Sequence, residues 1–201
     1  SVVLAKTEAE ENGWFVVSDT SWEGYSEPPR DVMAGYGVMT SEICDSLGTA
    51  PSHVFLQGGV GGLAAGVVAG LRQHWGAEGP RVVIVEPELA ACLFESARNG
   101  EATNFAIQEE TLMAGLSCGE PSGMAWEVLS EEADDFLTMP ESLVAPAVRP
   151  LARPLPGDEA IEAGESAIAG LAALIAARQE ADLSAKLGLD ETSRVLLIGS
   201  E

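Results

Sequence analysis

Short apolar runs alternate along this chain with longer segments that mix apolar and polar residues. Three runs, at residues 53–57, 81–85 and 195–198, have apolar interiors, which predicts strands buried on both faces of a sheet. Two weaker runs, at residues 14–17 and 136–139, predict further strands. Because helix-length segments separate most of these runs, the strands should be mostly parallel, with right-handed crossovers. The pattern therefore predicts an α/β fold of three layers, in which helices cover both faces of a twisted sheet.

The predicted helices are bounded mostly by glycine, proline and polar residues. They cover residues 1–12, 31–47, 63–75, 89–98, 124–129 and 141–151, and a small-residue segment that begins near residue 163. Residues 19–31 form a predicted loop, residues 153–157 form the clearest linker, and a polar stretch with Lys186 leads to the last strand. In such folds the ligand binds at the carboxyl ends of the strands. We therefore expect the chemistry in the loops that follow the strands.

Composition and charge limit the functions that this chain can have. It has 201 residues, 46% of them hydrophobic, which suffices for one large core. Its formal net charge is −22, and such a surface repels nucleic acid and anionic membranes, which bind through clusters of Lys and Arg. No apolar run approaches the roughly 20 residues of a membrane span. We therefore expect neither a nucleic-acid partner nor a membrane partner.

The cysteines and the two ends of the sequence add expectations about metal, compartment and completeness. Cys44, Cys92 and Cys118 have unrelated spacings, and only two histidines accompany them, so we expect no metal site and reduced thiols in the cytoplasm. The first residues are charged and have no apolar signal-peptide core. The sequence lacks an initiator Met and stops directly after an apolar strand, so we expect a fragment of a longer protein.

The glycine-rich stretch QGGVGG, residues 57–62, is the clearest candidate for ligand binding. Gly58, Gly59, Gly61 and Gly62 lack the Cβ that would keep a ligand away from the backbone. The helix that follows offers unpaired N–H groups and the positive end of its dipole, which suits a phosphate. We therefore expect an anion-binding turn in preference to a tight turn without a ligand.

One hypothesis for this turn is a dinucleotide-binding site. Gly59-x-Gly61-x-x-Ala64 matches the fingerprint of NAD-binding domains, and Glu86 closes the next strand at about the right distance for a ribose contact. Against this, the turn has more glycine than the fingerprint requires, and Pro87 fixes the chain directly after Glu86. The other hypothesis is a monophosphate held by backbone amides, as for pyridoxal phosphate.

A longer series of sequence motifs supports the second hypothesis. In chain order they are DTSWEGY (19–25), Gly35-Tyr36, QGGVGG (57–62), VEP (85–87), MAGLSCGEP (113–121), SGM (122–124) before Trp126, AGESA (163–167) and GSE (199–201). Together they resemble the C-terminal half of the diaminopropionate ammonia-lyase family, pyridoxal-phosphate enzymes of fold type II. The resemblance covers nearly the whole chain. Many relatives share QGGVGG, whereas DTSWEGY combined with AGLSCGEP is much narrower.

The resemblance implies an activity and a set of site residues. Enzymes of this family remove the α-proton of 2,3-diaminopropionate and eliminate its β-amino group, which yields pyruvate and ammonia, with pyridoxal phosphate as the electron sink. It implies phosphate-binding backbone at Gly58, Gly59, Val60, Gly61, Gly62 and Leu63. It also implies a catalytic carboxylate at Asp19, pocket-lining backbone at Ala114 and Gly115, and Glu165 behind the cofactor ring. Whether the substrate is diaminopropionate or another β-substituted amino acid stays open.

The resemblance also concerns the far end of the cofactor ring, where relatives place a hydroxyl near the pyridine nitrogen. Ser200 is the candidate here, although relatives often carry the serine one position earlier, where this chain has Gly199. A neutral hydroxyl leaves that nitrogen largely unprotonated, which suits β-elimination. Some related racemases and dehydratases bind a cation through the Glu of VEP and an acidic residue shortly after it. This chain has Ala90-Ala91 there, so we expect no such metal and a structural role for Glu86.

Two further expectations concern the cysteines and the lysines. Cys92 and Cys118 are expected as separate buried thiols, with pairing under oxidation as the alternative. The Schiff-base lysine of the family lies in its N-terminal half, and the two lysines present, Lys6 and Lys186, lie in polar segments predicted to be exposed. We therefore expect the fragment alone to be inactive.

The resemblance finally implies a domain organisation. Residues 1–12 are the expected tail of a smaller N-terminal domain. Residues 13–201 are the expected phosphate-binding α/β domain, incomplete without the N-terminal half. The whole enzyme is expected to be a cytoplasmic homodimer that binds a small amino-acid substrate.

Overall fold

A computed structural model describes residues 2–200 of the chain. The helices in this range are α1 (Val2–Asn12), α2 (Glu27–Leu47), α3 (Gly62–Trp75), α4 (Cys92–Asn99), α5 (Gly123–Glu132), α6 (Val144–Ala152), α7 (Ala169–Gln179) and α8 (Ala181–Leu187). The strands are β1 (His53–Gln57), β2 (Arg81–Pro87), β3 (Asp135–Met139) and β4 (Val195–Leu197). Short 3-10 turns lie at Gly76–Glu78, Ala114–Leu116 and Glu141–Leu143.

The four strands form one parallel sheet in the order β3-β2-β1-β4. The register pairs Gln57 of β1 with Val85 of β2, and Phe55 of β1 with Leu197 of β4. Because all strands run the same way, their carboxyl ends meet at one edge of the sheet. The end of β1 therefore lies between the end of β2 and the residues that follow β4.

Alternate residues of the two central strands point into two separate cores. Val54 and Leu56 pack with residues of α2, α3, α4 and α5, whereas Phe55 and Val83 pack with residues of α6, α7 and α8. Successive strand side chains point to opposite faces, so a run that is apolar throughout fits a sheet covered on both sides. The predicted three-layer α/β fold is confirmed.

Small residues allow the layers to approach closely. A Cβ built at Gly70 of α3 would lie 2.7 Å from Cγ2 of Thr40 in α2. A Cβ built at Gly170 of α7 would lie 2.9 Å from the carbonyl oxygen of Phe55 in β1. Neither position has room for a larger side chain. The glycines thus let α2 pack directly on α3, and α7 directly on β1.

The strand predicted at residues 14–17 is wrong. This segment has no regular secondary structure, and Trp14, Phe15 and Val17 are exposed. A strand requires a neighbour that takes up its backbone hydrogen bonds. Here the hydroxyl of Tyr25 donates to the carbonyl oxygen of Val16 at 2.8 Å instead. The segment therefore belongs to the loop that precedes α2.

Some helix boundaries also differ from the prediction. Helix α2 begins at Glu27, before the predicted start, because Pro28 and Pro29 are tolerated in a first helical turn. Helix α8 lies in a segment that was predicted only as a polar stretch, and its Leu187 is buried. Lys186 in the same helix is exposed, as expected. Helices α4 and α7 begin later than predicted. The side chain of Lys6 lies outside the described residues.

The expectations about a membrane and a metal concern the helices and the His, Cys, Asp and Glu side chains. No helix among residues 2–200 is both long and apolar enough to cross a membrane. Within the same range, no group of three or more His, Cys, Asp and Glu side chains is placed to hold a metal ion.

Candidate functional site

A cavity of about 520 Å³ lies at the carboxyl ends of β1 and β4. Several separate parts of the chain meet around it, with the turn between β1 and α3 as the longest contribution. Its lining residues are Ser18, Asp19, Thr20, Tyr36, Gln57, Gly59, Val60, Gly61, Gly62, Leu63, Gly115, Leu116, Cys118, Ser166, Ala167 and Ser200. The location agrees with the expectation that a ligand of this fold binds where the strands end.

The turn from β1 to α3 presents backbone amides to the cavity. Gly61 precedes α3 with φ = +97°, a left-handed conformation that glycine adopts without strain. The first backbone hydrogen bond of the helix runs from Ala65 N–H to the carbonyl oxygen of Gly61 at 2.9 Å. The earlier N–H groups, at residues 62–64, have no acceptor within the helix. Together with the positive end of the α3 dipole, they form a site suited to a phosphate.

Gly58 has a different position from its neighbours in the turn. Its N–H donates to the carbonyl oxygen of Val85 at 2.8 Å, so this amide is not available to a phosphate. A Cβ at Gly58 would lie 2.9 Å from Cγ of Glu86 and 3.0 Å from side-chain carbons of Ile84 and Leu93. Gly58 is buried and is not part of the cavity lining. Its requirement for glycine comes from packing beneath the turn, which corrects its assignment as a phosphate ligand.

Asp19 reaches the cavity on a loop that Tyr25 organises. The Tyr25 hydroxyl donates to Val16 O and accepts from Ser18 N–H at 3.0 Å. The rings of Tyr25 and Trp22 stack with centroids 3.9 Å apart and planes 9° apart. The loop is thus tied to itself just before and after Asp19, whose carboxylate accepts a hydrogen bond from the Thr20 hydroxyl at 3.3 Å. Asp19 lies beside the start of α3, since a Cβ at Gly62 would be 3.8 Å from Asp19 Cβ.

A pair of serines joins the Asp19 loop to the rest of the site. Ser21 N–H donates to Oγ of the fully buried Ser122 at 3.0 Å, and the two hydroxyls are 2.9 Å apart. Ser21 Oγ accepts from Met124 N–H at 2.9 Å, near the start of α5. Ser122 N–H donates to the carbonyl oxygen of Val60 in the glycine turn at 2.9 Å. The DTSWEGY loop, the glycine turn and the segment after AGLSCGEP are therefore fixed to one another through Ser21 and Ser122.

The AGLSCGEP and AGESA segments meet next to the glycine turn. Gly115 N–H donates to Ser166 Oγ at 3.0 Å, and both residues line the cavity. A Cβ at Gly59 would lie 3.2 Å from the Gly115 carbonyl oxygen, so the two backbones are in close contact. Ala114 and Glu165 are exposed and are not part of the lining. In the turn at residues 165–168 it is the neighbouring serine, not the glutamate, that faces the site.

Gln57 and Ser200 form the wall at the ends of β1 and β4. Gln57 is 6% exposed, and its Nε2 donates to the Ile198 carbonyl oxygen at 3.0 Å and to Ser200 Oγ at 3.3 Å. Its Oε1 is buried and has no hydrogen-bond partner among the described residues. Ser200 lines the cavity, whereas Gly199 does not. This favours Ser200 over Gly199 as the residue of the GSE motif that faces the site.

Glu86 is fully buried and bound to α4. Its Oε1 accepts from Leu93 N–H at 2.9 Å and its Oε2 from Phe94 N–H at 2.6 Å. Burial raises the pKa of Glu86 to about 8, and these two backbone hydrogen bonds only partly offset the effect. Glu86 is not part of the cavity lining, so it is not placed to contact a ribose there. The dinucleotide hypothesis is therefore wrong, and the expected structural role of Glu86 agrees with its contacts.

The two cysteines near the site are free thiols that both lie close to Gly59. Cys92 Sγ donates to the Gly59 carbonyl oxygen at 3.5 Å. Cys118 Sγ would lie 3.4 Å from a Cβ at Gly59. Burial raises the pKa of both thiols, and nearby carboxylates add to the effect. These thiols are therefore predominantly protonated at neutral pH.

Comparison with known proteins assigns the family. Residues 1–201 match the model of a family described as "Pyridoxal-phosphate dependent enzyme". The chain belongs to that family. It is 37% identical over 207 residues to a diaminopropionate ammonia-lyase from Escherichia coli K12, and 33% identical over 211 residues to one from Salmonella typhimurium. Each comparison covers 100% of this chain and 52% of the relative, so the chain spans about half the length of these relatives.

Solved structures agree with this assignment. The crystal structure of the E. coli diaminopropionate ammonia-lyase with an aminoacrylate-PLP azomethine reaction intermediate superposes with a TM-score of 0.91 at 37% identity, over 100% of this chain and 52% of that one. The complex of that enzyme with D-serine gives 0.90 over 100% and 51%. A threonine deaminase from T.th., at 23% identity and a TM-score of 0.74, shares the fold. The family resemblance inferred from the sequence motifs is confirmed.

The residues of the cavity fit the cofactor of this family. Gly59, Gly61 and Gly62 keep side chains out of the turn, and the start of α3 supplies unpaired amides for a phosphate. The buried Oε1 of Gln57, which lacks a protein partner among residues 2–200, indicates a ligand or water at the far wall. These residues would hold the phosphate at one end of pyridoxal phosphate and face its ring with Ser200.

Most of the predicted site residues meet in this one cavity. Asp19, Gly59, Val60, Gly61, Gly62, Leu63, Gly115 and Ser200 line it, whereas Gly58, Ala114 and Glu165 do not. The prediction missed Gln57 and Ser166. Both stand inside motifs that were already identified, because Gln57 begins QGGVGG and Ser166 follows Glu165 in AGESA. The signal was present, but only the packing shows which residue of each motif faces the cavity.

Proposed function

We propose that this chain is the C-terminal part of a pyridoxal-phosphate-dependent ammonia-lyase that converts 2,3-diaminopropionate to pyruvate and ammonia. The observation that carries the proposal is that Asp19 and the amides at the start of α3 face the same cavity. Asp19 provides a carboxylate for an amino-acid substrate that has an additional amino group. The amides at the start of α3 provide a phosphate site. The 37% identity to the E. coli enzyme over the whole chain supports the same substrate.

The residues around the cavity have distinct roles in this proposal. The N–H groups at the start of α3 bind the cofactor phosphate and fix the depth of the ring in the cavity. The carboxylate of Asp19 attracts and orients the substrate's ammonium group. The bound cofactor supplies an electron sink for the electron pair left when the α-proton is removed. The Ser200 hydroxyl faces the ring nitrogen and leaves it without a neighbouring negative charge at this position.

The catalytic lysine is proposed to lie outside this chain. Lys186, the lysine whose side chain the structure describes, is exposed on α8 and does not line the cavity. We propose that residues 1–12 are the end of a smaller N-terminal domain and that residues 13–201 form the phosphate-binding domain. The remaining half supplies the lysine, so the chain alone has no lyase activity. The full-length protein, meaning the longer polypeptide that carries this chain, is proposed to be a cytoplasmic homodimer.

The test uses the full-length protein, 2,3-diaminopropionate as substrate, and the release of pyruvate as the signal. We expect pyruvate release from wild type and a roughly 10²-fold lower kcat/KM for Asp19→Asn, on the order of the loss caused by a misplaced substrate. The matched control is Glu23→Gln, an exposed acidic residue of the same loop that does not line the cavity. It should retain wild-type turnover.

Three other results would change the proposal in defined ways. Equal turnover by wild type and Asp19→Asn would remove Asp19 from the mechanism. A protein that shows the visible absorbance of the cofactor but releases no pyruvate would move the substrate to another β-substituted amino acid. A colourless protein that does not bind pyridoxal phosphate would refute the lyase proposal.

A further inference from the structure

The side chain of Gln57 has only one orientation compatible with its neighbours. The parallel register of β1 and β4 places Gln57, the last residue of β1, beside the residues that follow β4. Its amide lies 3.0 Å from the Ile198 carbonyl oxygen, which can only accept a hydrogen bond. The amide group at this position must therefore be the NH2, because a flipped amide would bring two oxygens together. Gln57 is 6% exposed, so water does not easily compensate for the wrong orientation.

This orientation determines the direction of the next hydrogen bond. The NH2 group has two hydrogens, one directed to Ile198 O and one to Ser200 Oγ at 3.3 Å. Ser200 Oγ therefore accepts from Gln57. Its own hydrogen is then free to be donated into the cavity that Ser200 lines. A serine hydroxyl without such a neighbour can serve equally as donor or acceptor.

We propose that Gln57 is a positioning residue that makes Ser200 a hydrogen-bond donor to the pyridine nitrogen of the bound cofactor. The inference rests on the proposed function, in which that nitrogen faces Ser200. A nitrogen that receives a hydrogen bond uses its lone pair as acceptor and stays unprotonated. The bound ring would then be a weaker electron sink than a pyridinium. Gln57 thus biases the chemistry of the ring without touching it.

The test compares two cofactors that differ only at the ring nitrogen. Apoenzyme prepared from the full-length protein is reconstituted with pyridoxal phosphate or with 1-deaza-pyridoxal phosphate, in which a C–H replaces the nitrogen. The measured quantity is the ratio of the affinities of the apoenzyme for the two cofactors. Wild type should bind the natural cofactor more tightly, because the analogue has no ring nitrogen to accept a hydrogen bond from Ser200. Gln57→Met keeps a side chain of similar size without the amide, and it should reduce this preference by roughly 3- to 10-fold, the weight of one hydrogen bond.

The control separates positioning from a merely structural role. Ser200→Ala should abolish the preference, and Gln57→Met should have no further effect on the ratio in the Ser200→Ala background. If Gln57 only supported the fold, its replacement would weaken both cofactors equally and leave the ratio unchanged, which would overturn the proposal. An equal ratio in wild type and Gln57→Met refutes the positioning role and leaves the lyase proposal intact. Failure of wild type to bind pyridoxal phosphate refutes both.

A second measurement needs no variant and keeps the proposal testable if Gln57→Met does not fold. The holoenzyme is prepared with cofactor labelled with ¹⁵N in the ring, and the ¹⁵N chemical shift is compared with those of free pyridine and pyridinium forms. We expect the shift of an unprotonated nitrogen that accepts a hydrogen bond. A pyridinium shift would show that Ser200 accepts from the ring, and it would overturn the proposed direction.

Discussion

Replacing Gly58 by alanine tests whether the first glycine of the turn serves packing or cofactor binding. The new Cβ would lie 2.9 Å from Glu86 Cγ, 3.0 Å from Ile84 Cγ2 and 3.0 Å from Leu93 Cδ1. All three neighbours are completely buried. The Glu86 chain has little freedom to move, because both of its carboxylate oxygens are hydrogen-bonded to α4. We expect Gly58→Ala to lower the free energy of unfolding by about 1–3 kcal/mol, the usual cost of overpacking a core.

Gly62→Ala is the matched control for this substitution. Its Cβ would have ordinary contacts, the nearest at 3.6 Å to the Asp19 carbonyl oxygen. Gly62 is the first residue of α3 and does not have a positive φ. Alanine should therefore leave the stability unchanged or raise it by up to about 1 kcal/mol through helix propensity. The two glycines belong to one motif, yet only Gly58→Ala is expected to lower the stability.

The assay is urea-induced unfolding of the full-length protein, followed by tryptophan fluorescence and far-UV circular dichroism. Reconstitution with pyridoxal phosphate then measures the affinity of the folded variants. Gly58→Ala should keep its cofactor affinity, because Gly58 N–H is already bonded to Val85 O. Wild-type stability together with weaker cofactor binding would refute the packing argument and restore Gly58 as a phosphate ligand. Equal destabilisation by Gly62→Ala would refute the contact distances on which the comparison depends.

Two further predictions concern buried polar groups. The pKa of Glu86 is raised to about 8, so the folded protein binds more protons than the unfolded chain between pH 4.5 and 8, and its stability should fall as the pH rises through this range. Glu86→Gln should remove this part of the pH dependence, which amounts to at most about 5 kcal/mol at 1.36 kcal/mol per pKa unit. Urea unfolding at several pH values measures the free energy of unfolding. Identical slopes of this free energy against pH in wild type and Glu86→Gln would refute the prediction. Ser122→Ala should lower the free energy of unfolding by about 1–3 kcal/mol, because Ser21 N–H loses its hydrogen-bond acceptor. It should also lower kcat more than cofactor affinity, because the loop that carries Asp19 is then no longer held in place. Ser130→Ala, at an exposed position of α5, is its control, and an equal effect of both changes on kcat would contradict the support role.

The sequence alone predicted most of the fold. The apolar interiors of β1 and β2 indicated strands covered on both faces, and the helix-length segments between the strands indicated parallel pairing. These signals are local, since they depend on the pattern within one segment. The segment at residues 14–17 has an equally apolar pattern and yet forms no strand. What decides its state is whether another strand lies beside it, and this is not encoded in the segment itself.

The site shows the same division between sequence and structure. The order of short motifs indicated the family, and eight of the predicted residues line the cavity. QGGVGG and GSE lie there because they follow β1 and β4, whose ends meet at one edge of the sheet. Within a motif, however, the direction of each residue depends on contacts with distant segments. Gly58 faces the Glu86 side chain, Ser166 turns to Gly115 in place of Glu165, and Gln57 reaches Ser200 across the sheet.

The sequence by itself therefore determined the layers of the fold, the glycine-rich turn between β1 and α3, and the family. Only the tertiary structure decided which residue of each motif lines the cavity, which glycine serves packing, and that the Gln57 amide donates to Ser200 Oγ. The physical reason is that hydrophobic pattern and turn chemistry act over a few neighbouring residues. Hydrogen-bond direction and close packing depend instead on pairs such as Gln57 and Ser200, which are 143 positions apart in the chain and 3.3 Å apart in space.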